Sequence, residues 1–355
     1  MATVTSERTS SATPDDPFGL AGRVLPRWAP LLVVVIAAGL SLLIVAVSSA
    51  HGPAQTIVMT ALLFLIVMTA ASFAREGRRR AVDRLATTLI VFSFLLALAP
   101  LAAIVVKVLV EGAHVVNGQF LTHSLRNIGP TETDGGIYHG IIGTLEQAIV
   151  TSIIAVPLAV LTAIYLVEYG RGWLAKGVTF FVDVMTGVPS IVAGLFIYTV
   201  WILALGFQRS GFAATFALAI LMIPVVVRST EEMLKLVPNE LREASFALGV
   251  PRWRTIAKIV IPTALPGITT GIMLGVARVM GETAPLLLLT GVTTSINTDI
   301  FHGPQAALPL IIFDQAGRPT DAAVSRAWGT ALVLIVLVML LNLVGRAVAR
   351  FSRVR

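Results

Sequence analysis

The sequence predicts an all-α protein that crosses a membrane eight times, and three observations carry that prediction. Hydrophobic residues make up 56% of the 355 positions and charged residues only 13%, a balance too apolar for a water-soluble domain of this length. Apolar runs of about 18 residues or more recur along the chain, the length that a hydrocarbon core of about 30 Å asks of a helix. Lysine and arginine gather in every second connection between those runs.

The runs place spans near residues 28–47, 56–73, 85–110, 141–167, 177–205, 211–227, 265–292 and 328–348. The first two, joined by a short turn at 48–55, form an accessory hairpin within residues 24–84, and residues 85–355 supply the other six spans. The hairpin carries no residue pattern that points to chemistry. Residues 1–23 are rich in Thr, Ser, Asp and Pro and are expected to be a disordered cytoplasmic tail. With no clean small-residue cleavage site, this stretch is not expected to act as a signal peptide.

Orientation follows from the basic residues. Arg75, Arg78, Arg79, Arg80 and Arg84 occupy the second connection, six positive charges lie between residues 228 and 258, and Arg346, Arg350, Arg353 and Arg355 end the chain. The alternate connections hold Arg126, Arg209, Arg318 and Arg326. Both termini are therefore expected in the cytoplasm. The formal charge of +7 belongs to membrane flanks, which removes the case for a nucleic-acid partner.

Several chemistries are excluded. The chain has no cysteine, so disulfides, thiolate metal sites and cysteine nucleophiles are absent. His51, His114, His123, His139 and His302 are scattered, and no metal site is expected. No serine is paired with a base as a nucleophile, and no GxxxxGK[ST] phosphate cradle occurs.

Two connections are long on the outer side. Residues 111–140 include a Gly-rich run at 131–136, and residues 293–325 include Pro304, Pro309, Asp314 and Pro319. These compositions build turns, while the apolar stretch 306–313 is expected to pack or dip into the membrane surface. On the inner side, Pro238 and Asn239 open a short helix over 240–248, Gly249 closes it and Pro251 opens the next.

Charges inside the spans point to function. Arg278 and Glu282 lie four residues apart in the seventh span, where each charge costs at least about 2.5 to 3.5 kcal/mol. Gly267, Gly271 and Gly275 precede them at intervals of four, and the pair is expected to continue that packed face into the bundle. A guanidinium fork matches two oxygens of an oxyanion, with Glu282 as its partner when no anion is bound. Thr283 adds a hydroxyl, and Pro285 is expected to unwind the helix nearby. An ion pair that only locks packing is the competing reading. Pro189 and Ser190 interrupt the fifth span as a gate, a binding turn or a plain kink. Asp183 and Glu146 are further costly charges that can border a water-filled vestibule, and Lys107 lies close enough to the surface to snorkel.

The inner connection carries a motif. Glu243, Ala244 and Ser245 are followed after three residues by Gly249, and after nine more by Ile259, Val260, Ile261 and Pro262. This resembles the EAA loop of ATP-binding-cassette importer permeases, with Ser245 in place of Ala and Ile261 in place of Leu. Segments 143–145, 163–169, 188–196 and 277–287 closely resemble the PstA family of phosphate permeases, and the likeness covers roughly residues 136–348.

The resemblance implies a six-helix permease core over residues 85–355 with a coupling loop at 228–264, docked by Glu243, Ala244, Ser245 and Gly249 into a separate ATPase, with Pro262 starting the returning helix. It implies transport of inorganic phosphate rather than catalysis, with no cofactor on this chain and ATP used by the partner. The implied partners are a PstC-like second permease subunit, a PstB-like ATPase pair, a PstS-like extracytoplasmic binding protein and membrane lipid. Rival readings are a sulfate or molybdate permease, an ion-coupled secondary transporter using Arg278 and Glu282, and a sensor of phosphate status.

Overall fold

The computed structural model describes residues 25–26, 28–47 and 52–351, and the expected tail at 1–23 lies outside them, as do Arg353 and Arg355. The chain forms two compact units, one reaching Ile104 and the other beginning at Val105.

The first unit holds α1 (Ala29–Val47), α2 (Pro53–Glu76) and most of α3 (Arg78–Val115). Gly77 alone separates α2 from α3, at a φ of 85° that a side chain disfavours. Leu25, Ala29, Val33 and Met68 are buried between α1 and α2, and the Ser41 and Thr60 hydroxyls meet at 2.6 Å. Glu76 closes the end of the pair. Its carboxylate accepts from the Leu25 N–H at 2.7 Å and the Ser72 hydroxyl at 2.6 Å, and pairs with Arg84 at 2.6 Å.

The second unit continues with α4 (Gly118–Thr122), α5 (Tyr138–Ile164, extended by a π segment Tyr165–Tyr169), α6 (Gly172–Thr186) and α7 (Ser190–Ile197, extended by a π segment Tyr198–Ala204). Then come α8 (Gly211–Lys235), α9 (Asn239–Ala247), α10 (Arg252–Thr255, leading through a π segment Ile256–Val260 into α11, Ile261–Met280), α12 (Ala284–Leu289), α13 (Leu308–Ala316) and α14 (Asp321–Phe351).

Helix α8 is the axis of this unit, buried around most of its circumference, with α5, α6, α7, α11 and α12 packed on it. Lipid tails are as apolar as leucine, so contact between such helices depends on close fit rather than on escape from water. The residues at the seams are accordingly small. Ala155, Ala159 and Ala163 of α5 are fully buried, and a Cβ at Gly271 of α11 would stand 2.0 Å from the Ser229 hydroxyl of α8.

Among the described residues seven helices are long and apolar enough to cross a membrane, and the number is eight if the bent pair Gly172–Thr186 and Ser190–Ala204 counts as one span. The expected fifth span at 177–205 is thus two pieces, turned by 106°. Pro189 causes the turn: it has no N–H for the helix ladder, it disfavours helical backbone at Val188, and it sits extended at ψ 139°.

The expected seventh span also differs. The helical run begins at Arg252 rather than near 265, so Pro262 lies inside it and does not start it. Lacking an N–H, Pro262 cannot serve the carbonyl one turn back, and the preceding π segment absorbs the mismatch, with the Ile261 N–H bonded to the Ile256 carbonyl. The same run stops at Met280, and the break falls at Gly281–Thr283, ahead of Pro285, which occupies the first turn of α12.

The two long connections meet at one end of the unit. Thr320 donates to the Pro130 carbonyl at 2.7 Å, and the buried Arg326 donates to the Glu132 carbonyl and, at 3.0 Å, to Gln315 Oε1. Ala306, Ala307, Leu308, Leu310 and Ile311 are buried, so the apolar stretch packs against its own chain. In the exposed turn before it, the His302 ring lies 2.8 Å from Asp299 and holds that carboxyl below the usual range.

Candidate functional site

The EAA-like helix α9 stands at the end of the bundle opposite to those loops. Pro238 caps its start in extended conformation, and Gly249 ends it at a φ of 74°, with the Gly249 N–H bonded to the Phe246 carbonyl at 2.9 Å. Among its residues only Arg242 and Ser245, one turn apart, face the chain's own bundle; Leu241, Glu243, Ala244 and Phe246 are exposed, as is Leu248 just beyond.

Those two inward residues anchor it. Arg242 donates to Glu168 Oε1 at 2.8 Å, to the Val237 carbonyl at 2.6 Å and to the Leu234 carbonyl at 3.0 Å. Glu168, at the end of the π segment of α5, is 6% exposed, and its own carbonyl accepts from Arg252, whose guanidinium lies 5.0 Å from the Tyr169 ring centroid. Ser245 meets the Thr255 hydroxyl at 2.8 Å and is buried. Of the residues expected at the docking face, Glu243, Ala244 and Gly249 are therefore on the outer surface, whereas Ser245 is buried behind it; Pro262, in the helical run that follows, is exposed.

The Glu168–Arg242 clasp escaped sequence reasoning. Both residues stood in segments singled out for their resemblance, but nothing in their spacing pairs position 168 with position 242.

The second group lies where α11 breaks. Arg278 occupies the last turn of α11, with its side chain 53% exposed, and its Nε is 3.9 Å from Glu282 Oε1. That separation is an ion pair without a hydrogen bond. Glu282 is 18% exposed, and Thr283 stands at the cap of α12 with its carbonyl bonded to the Leu287 N–H at 3.1 Å. The stripe of Gly267, Gly271 and Gly275 is followed by the buried Val279, whereas Arg278, expected to continue the packed face, is exposed. Arg278 is thus at the surface of this chain.

The two broken helices are packed together. A Cβ at Gly194, one turn into α7 from Pro189 and Ser190, would stand 2.8 Å from the Cα of Pro285 in α12. Pro189 is exposed and Ser190 partly so, at the 106° turn. The remaining intramembrane charges have partners of their own: Asp183 pairs with Arg228 of α8, and Glu146 accepts from the buried Gln305 at 2.5 Å. Lys107 lies 5.3 Å from the Trp328 ring centroid.

Residues 155–354 match the family model of binding-protein-dependent transport system inner membrane components. The chain is 54% identical over 271 residues to the phosphate transport system permease protein PstA of Mycobacterium leprae, covering 76% of this chain and 89% of that one. It is 52% identical over 279 residues to the phosphate transport system permease protein PstA 1 of Mycobacterium tuberculosis strain H37Rv, covering 78% and 90%. Among solved structures, a bacterial alginate ABC transporter in complex with a periplasmic protein superimposes with a TM-score of 0.54 at 13% identity, over 77% of this chain and 96% of that one, a likeness of fold. The helices long enough to span a bilayer, the EAA-like segment and these matches lead to one conclusion: the chain is a multi-pass permease subunit that belongs to the family of binding-protein-dependent transport system inner membrane components, among its PstA members.

Proposed function

We propose that this chain carries inorganic phosphate across the cytoplasmic membrane as one permease subunit of an ATP-driven importer. The observation that carries the reading is identity above half over nearly the whole length of relatives named as phosphate transport permeases. The EAA-like helix supports it, because a short helix with Glu243, Ala244 and Leu248 facing outward from the bundle is suited to a partner's cleft.

In this reading α9 faces the cytoplasm together with both termini, and docks on a PstB-like ATPase pair that consumes the ATP. The meeting of residues 111–140 and 293–325 forms the outer mouth, where a PstS-like binding protein delivers its cargo. A PstC-like permease subunit completes the pathway. The exposure of Arg278 at this chain's surface supports a phosphate route between two permease subunits rather than within one. Its guanidinium, loosely held by Glu282, exchanges a carboxylate for an incoming oxyanion, and Thr283 adds a hydroxyl. The α6–α7 turn at Pro189 and Ser190, packed through α7 on α12, is the element that moves with this site.

The test is uptake of radiolabelled phosphate, with sulfate as competitor, in cells lacking the gene. Wild type restores uptake that sulfate does not reduce and that fails when ATP is depleted. Arg278→Ala abolishes it, and Arg278→Lys, which keeps the charge but loses the fork, lowers it by about tenfold, one hydrogen bond to a charged group. Competition by sulfate or molybdate overturns phosphate as the substrate, and uptake that follows the proton gradient instead of ATP overturns the importer. Full uptake by Arg278→Lys overturns fork recognition.

A further inference from the structure

Between α12 and α13 the chain forms a strap, residues 290–307, pinned to the starts of α5 and α8. The Ser210 N–H donates to the Leu289 carbonyl at 3.0 Å, and the Phe212 N–H to the Ile300 carbonyl at 2.7 Å. Asn297 Nδ2 folds the strap on itself by donating to the His302 and Pro304 carbonyls at 2.9 and 3.0 Å. The strap ends where the Leu308 N–H donates to Thr144 Oγ1 at 2.8 Å.

One side chain of the strap reaches into the bundle. Gln305 is fully buried, and its Oε1 accepts from Gln147 Nε2 of α5 at 3.0 Å. Its Nε2 donates to Glu146 Oε2 at 2.5 Å and to the Asn297 carbonyl at 3.3 Å. Glycine leaves the room for it: a Cβ at Gly211 of α8 would overlap Gln305 Oε1, and one at Gly143 of α5 would overlap the Ala306 carbonyl. A cavity of about 10 Å³, space for about one water, lies between Thr144 and Gln147 of α5 and Val279 and Met280 of α11. Val279 and Met280 directly follow Arg278, so Gln147 borders the strap on one side and the last turn of α11 on the other.

The buried face of α5 changes character at this depth. It carries Thr144, Gln147 and Thr151 near the strap, and Ala155, Ala159 and Ala163 beyond them. The Thr151 hydroxyl is fully buried without a hydrogen-bond partner, a cost that contact with water would relieve. Exposing an apolar seam to water is unfavourable over its whole area, whereas amides and hydroxyls exchange each other for water at little net cost. The polar part of the seam is therefore suited to open and close again, and the alanine part to stay shut.

We propose that Gln305 is the latch of an outer gate. While its amide holds Gln147 and Glu146 the strap closes the seam, and when water replaces those bonds the strap swings out and admits phosphate to the break in α11. The phosphate and the outward side of the strap rest on the transport reading above, whereas the latch rests on the amide bonds and on the two glycines beside them.

The chain has no cysteine, so single cysteines report on the seam in intact cells that carry the whole importer. Ala148→Cys lies at the small cavity beside Gln147, and Ala159→Cys about 16 Å further along α5; both alanines are buried. A membrane-impermeant maleimide added outside labels Ala148→Cys slowly when nothing else is changed. Gln305→Ala removes the latch bonds and raises that rate about tenfold, the population shift that loss of one hydrogen bond to a charged group allows. Gly211→Ala keeps every bonding group but takes the space of the Gln305 amide, and raises the rate as much. Ala159→Cys stays unlabelled in both backgrounds. An unchanged rate at Ala148→Cys in either variant overturns the latch, and so does a rise at both cysteines together, the mark of general loosening. Labelling reads opening without measuring uptake, so a substrate other than phosphate leaves the latch standing, whereas a rise found only in inside-out vesicles overturns its place on the outer side.

Discussion

Arg242 spends its guanidinium on Glu168 and on the carbonyls of Leu234 and Val237, so one side chain ties α9 to the end of α8 and to the end of α5. Removing the carboxylate strands a charge that is 13% exposed at its side chain. Glu168→Ala is expected to cost about 3 kcal/mol, the low end for breaking a buried pair, and Glu168→Gln less because one acceptor remains. Thermal unfolding of the detergent-purified chain measures the difference. If α9 docks on an ATPase as proposed, both variants should also weaken ATP-dependent uptake more than they weaken assembly, since the clasp orients that helix. The sequence showed Glu243 and Gly249 as features of this helix but not what holds it, because a helix of nine residues is positioned by side chains that arrive from other helices. Arg278 illustrates the opposite case. Its cost in an apolar span made it visible, while its exposure at the surface of this chain depends on which helices pack beside the last turn of α11.

At the scale of elements, the contact of α8 with α11 depends on glycine. Gly271→Val would drive a side chain into Ser229, whose hydroxyl lies 2.0 Å from where the Cβ must go, and is expected to destabilise the unit by about 3 kcal/mol through overpacking. Gly281→Ala is the control: its Cβ meets nothing nearer than the Arg278 carbonyl at 3.6 Å, so it should fold normally. Protease resistance of the membrane-embedded chain reads both outcomes. The glycine spacing and the break at Pro189 were legible in the sequence because each is a local steric property. The 106° turn that follows Thr186 was not, since a proline states that a ladder is interrupted and leaves the new direction to packing. For the same reason Pro262 read as a helix start: its missing N–H is equally at home in a first turn or behind a π segment.

For the whole molecule, eight apolar crossings were countable from hydropathy alone, and the division into two units was not, because it falls inside α3, an unbroken helix. A chain that begins just before Arg78 loses two crossings, which leaves the parity of the rest unchanged. It is expected to keep phosphate uptake and the same sidedness of its last helix, measured with a reporter fused at the carboxyl end. The three π segments at Tyr165–Tyr169, Tyr198–Ala204 and Ile256–Val260 have a consequence for the gene. A π turn is an α-helix holding one residue more than it needs, so excising a residue there closes the turn without rotating either flank, whereas the same excision in a neighbouring turn swings everything beyond it by about 100°. In a scan of single-codon deletions, growth on limiting phosphate should survive at these three islands and fail in the helical turns around them.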